Sequence, residues 1–174
     1  MRRLVAMAVF LLLCILVPAT MEARDVKTSV DMRNMKHVFV GWVDMNPDAW
    51  TLLDYDTKAE WTEVINSLND YLVQQLKAEY LPDRIIAAAK NKEDENAAGN
   101  DLYIRFSDVV VDKKYRLHLS IHFIDPKTNT EIATIPDDTY TGRVCGLVGC
   151  MHKSLNKVGV RLNAEMTTAP QGKK

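Results

Sequence analysis

The sequence predicts an α+β domain in two layers, with a mainly antiparallel sheet of about four strands and two main helices on one face. Three observations lead to this prediction. Two long segments carry apolar residues at helical spacing, and the segments between them alternate apolar with polar residues. Turn residues separate the alternating segments. The predicted order is therefore strand, helix, strand, strand, strand, helix.

The first strand is predicted in His37–Asp44, which is rich in β-branched and aromatic residues. Its apolar residues fall on both faces, and this is typical of a central strand that is buried on both sides. A turn at 46–48 (Asn-Pro-Asp) ends it.

The first helix is expected to begin at Thr57, which forms a capping box with Glu60. Leu81-Pro82 should end it, and a further turn or two of helix is expected over 85–90. The apolar stripe of this helix consists of Trp61, Val64, Ile65, Leu68, Leu72, Leu76 and Tyr80.

Three antiparallel strands are predicted after the charged loop 91–100. The first covers 102–106 and continues through 109–111, and the third covers 131–135. The middle strand has Tyr115, Leu117, Leu119, Ile121 and Phe123 on one face and Arg116, His118, Ser120 and His122 on the other. Such alternation predicts a strand with one face on the core and the other toward solvent.

The last helix is predicted from an apolar stripe that consists of Leu147, Met151, Leu155, Val158, Leu162 and Met166. The polar residues 167–174 are expected to form a disordered tail. A single domain is therefore predicted over 36–166, preceded by a flexible leader over 24–35.

The first 23 residues have the pattern of a secretory signal peptide. Arg2 and Arg3 precede the apolar run Leu4–Val17, which is shorter than the roughly 20 residues that span a bilayer. An uncleaved anchor and a lipoprotein modified at Cys14 are the alternatives, although Cys14 lies inside the apolar run rather than at its end. The mature chain is expected in the periplasm, at the cell surface or outside the cell, with no further membrane span.

The charge of the chain is nearly balanced, with 22 basic and 23 acidic residues. No basic stripe is present, which argues against nucleic acid as a partner. No phosphate-binding loop, nucleophile elbow or paired metal motif occurs in the sequence, so no cofactor is expected.

Cys145 and Cys150 are the two cysteines of the mature chain and are predicted to form a disulfide in an oxidising compartment. Free buried thiols are the alternative. With His152 they provide only three candidate zinc ligands, fewer than most structural zinc sites use.

Two surfaces are candidates for binding. The first is the solvent face of the middle strand, with Arg116, His118, Ser120 and His122. Residues four apart on a strand lie roughly 13 Å apart, so the two histidines are too distant to hold one metal. The second is the loop around Trp50, where an exposed indole would stack on a partner or a glycan.

Three segments resemble the bacterial envelope proteins of the CsgG-like and LpoB-like lipoproteins and the amino-terminal domain of TolB. They are the opening strand VFVGWVDM, the strand LYIRFSDVVV, and the hairpin YRLHLSIHFIDPKTNTEIATI with its Asp-x-x-Thr-x-x-Glu turn. Together they cover roughly residues 36 to 166 of the element order. The resemblance implies a non-catalytic role in docking on envelope proteins or cell-wall machinery. The chain departs from these lipoproteins because it lacks a suitable lipid-anchor cysteine.

The sequence therefore predicts an exported, non-catalytic envelope protein that binds or scaffolds another envelope protein or a cell-wall component. One alternative is a small secreted hydrolase, metal-assisted or carboxylate-based, that acts on wall or glycan material; a cleft joining Asp44 with His118 or His122 would favour it. The other is a structural subunit that assembles with copies of itself.

Overall fold

The computed structural model describes residues 30–45, 58–112, 116–141 and 147–169. After a short 3₁₀ turn at Met32–Asn34, the elements are β1 (His37–Val40), α1 (Lys58–Gln75), β2 (Ile85–Ala88), β3 (Leu102–Val111), β4 (Arg116–Asp125), β5 (Thr130–Thr141) and α2 (Leu147–Thr167). A π-helical turn, Leu76–Tyr80, extends α1. The predicted α+β class with two main helices is confirmed.

The sheet has five strands in the order β2-β1-β3-β4-β5. β1 is parallel to both of its neighbours, whereas β3, β4 and β5 are antiparallel. The sheet is therefore mixed, with one strand more than predicted. β1 lies inside the sheet, as the apolar residues on both of its faces indicated.

The helix expected over 85–90 is wrong, because the chain forms the edge strand β2 there. The run Ile-Ile-Ala-Ala is compatible with either structure. Backbone pairing with β1 decides between them: the Ile85 N–H donates to the Lys36 carbonyl over 2.8 Å, and the Ala89 N–H donates to the Val40 carbonyl over 2.9 Å. Tertiary pairing thus overrides the local helix preference of alanine.

One face of the sheet and both helices share the main apolar core. α1 contributes Leu68 and Leu72, and α2 contributes Met151, Leu155 and Leu162, all at most 1% exposed. The buried Met32 of the 3₁₀ turn joins the same core, within the segment expected to be a leader. The larger set of strand residues in this core is Val38, Val40, Ile86, Leu102, Ile104, Phe106, Val111, Leu117, Leu119, Ile121, Phe123, Ile132, Ala133, Ile135 and Tyr140.

A second, smaller cluster lies on the opposite face, where Phe39 and Tyr103 pack edge to face with 5.6 Å between ring centroids. Ile124 and Ala97 complete it. Since Ala97 belongs to the connection between β2 and β3, this loop covers the helix-free face over β1, β3 and the end of β4. The rest of that face, over β3, β4 and β5, carries the polar side chains described below.

A buried amide joins α1 to the segment that leaves β1. The Asn69 side chain accepts from the Val43 N–H (2.9 Å) and donates to the carbonyls of Val43 (3.2 Å) and Ile65 (3.1 Å). Val43 is fully buried, and Asn69 supplies the hydrogen bonds for a backbone beyond the end of β1. Asn69 thereby fixes where α1 lies against the sheet.

The Asn69→Leu variant should be less stable by about 2–4 kcal/mol, because it leaves the Val43 N–H and carbonyl buried without partners. The midpoint of urea unfolding measures the effect. Asn66→Leu, at an exposed position of the same helix, is the matched control and should change stability by less than about 0.5 kcal/mol. Equal losses in the two variants would contradict this role of Asn69.

Gly159 permits the close approach of α2 to the π-helical turn. A Cβ atom built at Gly159 would lie 2.4 Å from a ring carbon of Tyr80, whereas one at Gly149 would meet nothing within 4 Å. We therefore expect Gly159→Ala to destabilise the fold by about 1–3 kcal/mol through overpacking. Gly149→Ala should be neutral or stabilising by up to about 1 kcal/mol. Thermal unfolding of the two variants checks this, and the same sign for both would refute it.

Candidate functional site

The helix-free face of β3, β4 and β5 is the candidate site. We call it the polar face and define it as Arg105, Ser107, Val110, Arg116, His118, Ser120, His122, Glu131, Thr134 and Thr139. Alternation along β4 places Arg116, His118, Ser120 and His122 opposite the core residues Leu117, Leu119, Ile121 and Phe123. The predicted set of four therefore lies on one face. Ser120 is the most buried of the four, at 7% exposed.

His122 lies at the centre of a line of side chains that crosses three strands. Its Nε2 atom is 2.8 Å from the Ser107 Oγ atom on β3, and its Nδ1 atom is 2.7 Å from Glu131 Oε2 on β5. The Thr134 hydroxyl is a further 3.4 Å neighbour of Nδ1. In register, His122 is paired with Arg105 on one side and Thr134 on the other, so Ser107 and Glu131 are diagonal neighbours.

A β-bulge follows Ser107, where the register with β4 shifts between Ser107 and Val110. Asp108 in this bulge has a φ of 54°, in the left-handed region that aspartate tolerates better than most residues. The Asp108 carboxylate accepts from the Ser107 hydroxyl over 2.7 Å. The Ser107 hydroxyl therefore lies between Asp108 and His122 Nε2 and has only one hydrogen to donate.

Glu131 has a pKa below its ordinary value. The hydrogen bond from Thr134 is the largest cause, followed by the contact with His122, and the positive charge of Arg105 lowers this pKa further. Glu131 is thus ionised at neutral pH and orients the His122 ring from the Nδ1 side.

His118 belongs to a separate cluster at the other end of β4. Its Nε2 atom is 3.1 Å from Asp112 Oδ2, and its Nδ1 atom is 3.2 Å from the Thr139 hydroxyl. Arg116 Nε donates to the same Asp112 oxygen over 2.6 Å, and the Arg116 backbone N–H donates to Asp112 Oδ1. The two histidines thus have different partners.

The sequence did not single out Ser107, Asp112 or Glu131. Their signal was the alternation of polar residues on the strands next to β4. Alternation predicts on which face of the sheet a residue lies. It does not predict which residue of the next strand lies beside it, because that depends on the bulge in β3 and on the register of β5.

The remaining candidates lie elsewhere. Trp50 and Cys145 are outside the described residues, so the exposed indole and the disulfide stay predictions. Cys150 is buried on α2. His152 stacks on Tyr71 of α1 with 3.9 Å between ring centroids, and burial lowers its pKa. His152 is therefore part of the helix–helix contact.

Within ranges 30–45, 58–112, 116–141 and 147–169, no group of three or more His, Cys, Asp or Glu side chains is placed to hold a metal ion. None of the helices in those ranges is long and apolar enough to cross a membrane.

Comparisons with known proteins identify no family. No family model matches the chain, and no curated protein matches it. Two solved structures with some similarity are both dodecamers of PelC from Paraburkholderia phytofirmans. One is 15% identical with a TM-score of 0.40, over 72% of this chain and 86% of that chain. The other, a point variant in a different crystal form, is 15% identical with a TM-score of 0.35, over 82% and 90%. These values are too low to transfer a function.

The depressed pKa of Glu131 predicts a pH dependence of stability. Its ionised form is favoured in the folded state, so this stabilisation is present above the unfolded value of 4.5 and is lost as the pH falls through the lower folded pKa. Below about pH 4.5 the wild type should therefore lose more stability than Glu131→Gln, which has no such carboxylate to protonate. Urea unfolding at a series of pH values measures the difference.

Glu93→Gln, in the exposed loop before β3, is the control for this pH series. Its profile should follow that of the wild type. If Glu131→Gln also followed the wild-type profile, the hydrogen bonds to Glu131 would not favour its ionised form.

Proposed function

We propose that this chain is an exported envelope protein that docks onto another envelope component through its polar face. The amino-terminal signal pattern supports export, and no chemical step is required for docking. The partner would be another envelope protein or a cell-wall component, as the resemblance to the CsgG-like and LpoB-like proteins implies.

The observation that carries the proposal is the Arg116–Asp112–His118 cluster. The carboxylate of Asp112 fixes both the guanidinium and the imidazole, and Thr139 holds the ring from its other side. Side chains already held in one rotamer lose little entropy on binding, so such a cluster favours recognition over mere solvation. Val110, which is paired with His118 in register and is 44% exposed, adds an apolar contact beside the cluster.

The face is a better docking surface than the edge of the sheet. β5 is a long edge strand, and such edges invite pairing with other chains. It carries Pro136, which has no N–H, and then Asp137 and Asp138, whose charges oppose a second copy of the same strand. Unlimited edge-to-edge assembly, one route to a self-assembling structural subunit, is therefore disfavoured.

The alternative of a wall hydrolase built on Asp44 and a β4 histidine has less support. Asp44 lies 3.9 Å from the Lys92 ammonium, and among the described contacts none joins it to His118 or His122. Both histidines instead have carboxylate partners of their own, Asp112 and Glu131.

A photocrosslinking amino acid placed at Val110 should give a discrete adduct with a partner when the full chain is expressed with its signal in its own host. The same group at Val160, on the outer side of α2 and 55% exposed, is the matched control and should give none. Adducts are resolved by mass. An adduct at both sites, or at neither, would count against docking through the polar face.

The double variant Arg116→Gln, His118→Gln should reduce the Val110 adduct at least about tenfold, because it removes the guanidinium and the imidazole that Asp112 holds in place. Glu63→Gln on the exposed side of α1 should leave the adduct unchanged. An adduct with twice the mass of the chain would indicate self-assembly rather than a separate partner.

A further inference from the structure

The line Ser107–His122–Glu131 has the arrangement that nucleophilic catalysis requires. A hydroxyl nucleophile, a base within hydrogen-bond reach and a carboxylate that orients the base are its three parts. Here the two distances are 2.8 Å from Oγ to Nε2 and 2.7 Å from Nδ1 to Oε2. The three residues are on three paired strands of one sheet, which holds them more firmly than loops would.

The three parts also have suitable exposure. The His122 side chain is 17% exposed, so the ring is largely held by its neighbours and still reaches the surface. Ser107 is half-buried, beside the exposed Asp108. The next residues along β3 and β4 on the core side, Phe106 and Phe123, are buried and anchor the backbone of both strands.

Arg105 provides the positive charge that an acyl-transfer step needs. It is two residues before Ser107 on the same face and is paired with His122 in register. It is exposed, and its charge acts on Glu131 across the same region of the face. A guanidinium on this part of the face would stabilise the negative charge that develops on the oxygen when a carbonyl is attacked.

Asp108 competes with His122 for the Ser107 hydroxyl hydrogen when no substrate is bound. Its carboxylate takes the hydroxyl hydrogen of Ser107, and this competes with transfer of that hydrogen to His122. Because Asp108 is exposed in a bulge, its side chain can turn into solvent when a substrate covers the serine. Without that competition, His122 Nε2 accepts the hydroxyl hydrogen while Nδ1–H donates to Glu131.

We infer that Ser107, His122 and Glu131 form a nucleophilic centre that cleaves acyl esters. The inference does not rest on the docking proposal. His122 Nε2 takes the proton from Ser107 Oγ as the Oγ–carbon bond forms and the carbonyl oxygen gains the negative charge. Collapse breaks the ester C–O bond, and the leaving alkoxide takes the proton from His122. A water molecule then repeats the sequence, releasing the acid and restoring the serine.

The open form of the face limits the substrate class. Two surface depressions in the described part of the chain have volumes of about 320 and 230 Å³. Asp101 and Asp125 are among the residues that line the first, and Asp70 and Lys77 are among those that line the second. Neither borders Ser107 in the described part of the chain. A flat polar face does not enclose a small free ligand. It suits a substrate in which a small acyl group is attached to an extended or larger molecule.

A fluorophosphonate probe tests the inference directly, because it reacts with serines that are activated as nucleophiles far faster than with ordinary serines. The mature chain should gain one adduct, which peptide mass spectrometry locates at Ser107, and should hydrolyse p-nitrophenyl acetate. Ser107→Ala should abolish both, and His122→Gln should slow both by about 10²–10⁴-fold. Ser67→Ala, on the exposed side of α1, should leave both unchanged.

Asp108→Asn separates a catalytic role from a structural one. It keeps a residue that tolerates a positive φ and removes the competing charge, so labelling of Ser107 should become about tenfold faster. A merely structural Asp108–Ser107 contact predicts no gain. The inference is overturned if wild type and Asp108→Asn, both with native melting curves, remain unlabelled at Ser107. Labelling that is equal in Ser107→Ala and wild type would overturn it too.

Discussion

The pairing of β3 with β4 is the interaction on which the rest of the structure depends. β3 is the strand at which the sheet changes from parallel to antiparallel, because it joins the parallel β1–β2 pair to the β4–β5 hairpin. Its core-facing residues, Ile104 and Phe106, pack under the helices, while Arg105 and Ser107 face the other way. Any slip of one residue in this pairing would exchange the two faces and place charged groups in the core. The register is therefore tightly specified.

The bulge at Asp108 is the local exception to that pairing, and it lies beside the side chains of interest. The extra residue shifts the alternation of β3 by one position, so that beyond the bulge Val111 lies in the core and Val110 on the polar face. The bulge also turns the Asp108 carboxylate toward the Ser107 hydroxyl. A regular strand would have sent residue 108 toward the helices. Because that side of the sheet is the apolar core, only the bulge allows a carboxylate at position 108.

Much of the fold was predictable because it depends on the spacing of apolar residues within single helices and strands. The stripes of α1 and α2 and the alternation of β4 are each visible within about 10–20 residues, the scale on which helical and strand periods show themselves. β2 was missed because its four residues have no period and form a strand only through backbone bonds to β1. Half of the candidate site was missed for the same kind of reason. The face of His122 followed from alternation, whereas its contacts with Ser107 and Glu131 follow from pairing across three strands.

The two clusters of the polar face differ in which hydrogen-bonding groups remain free to react once their carboxylates are paired. In the first, Asp112 contacts both Arg116 and His118, so its charge is balanced by the Arg116 guanidinium and the three side chains hold one another in place. In the second, the histidine lies between Glu131 and a serine whose hydrogen is also claimed by Asp108. Three contacts in that line cannot all be satisfied by a neutral imidazole with one N–H and a hydroxyl with one hydrogen. In that neutral state Asp108 and His122 Nε2 compete for the one hydroxyl hydrogen of Ser107, and transfer of this hydrogen to the imidazole is the step that activates a serine. This is why recognition is assigned to the Asp112 cluster and chemistry to the His122 line.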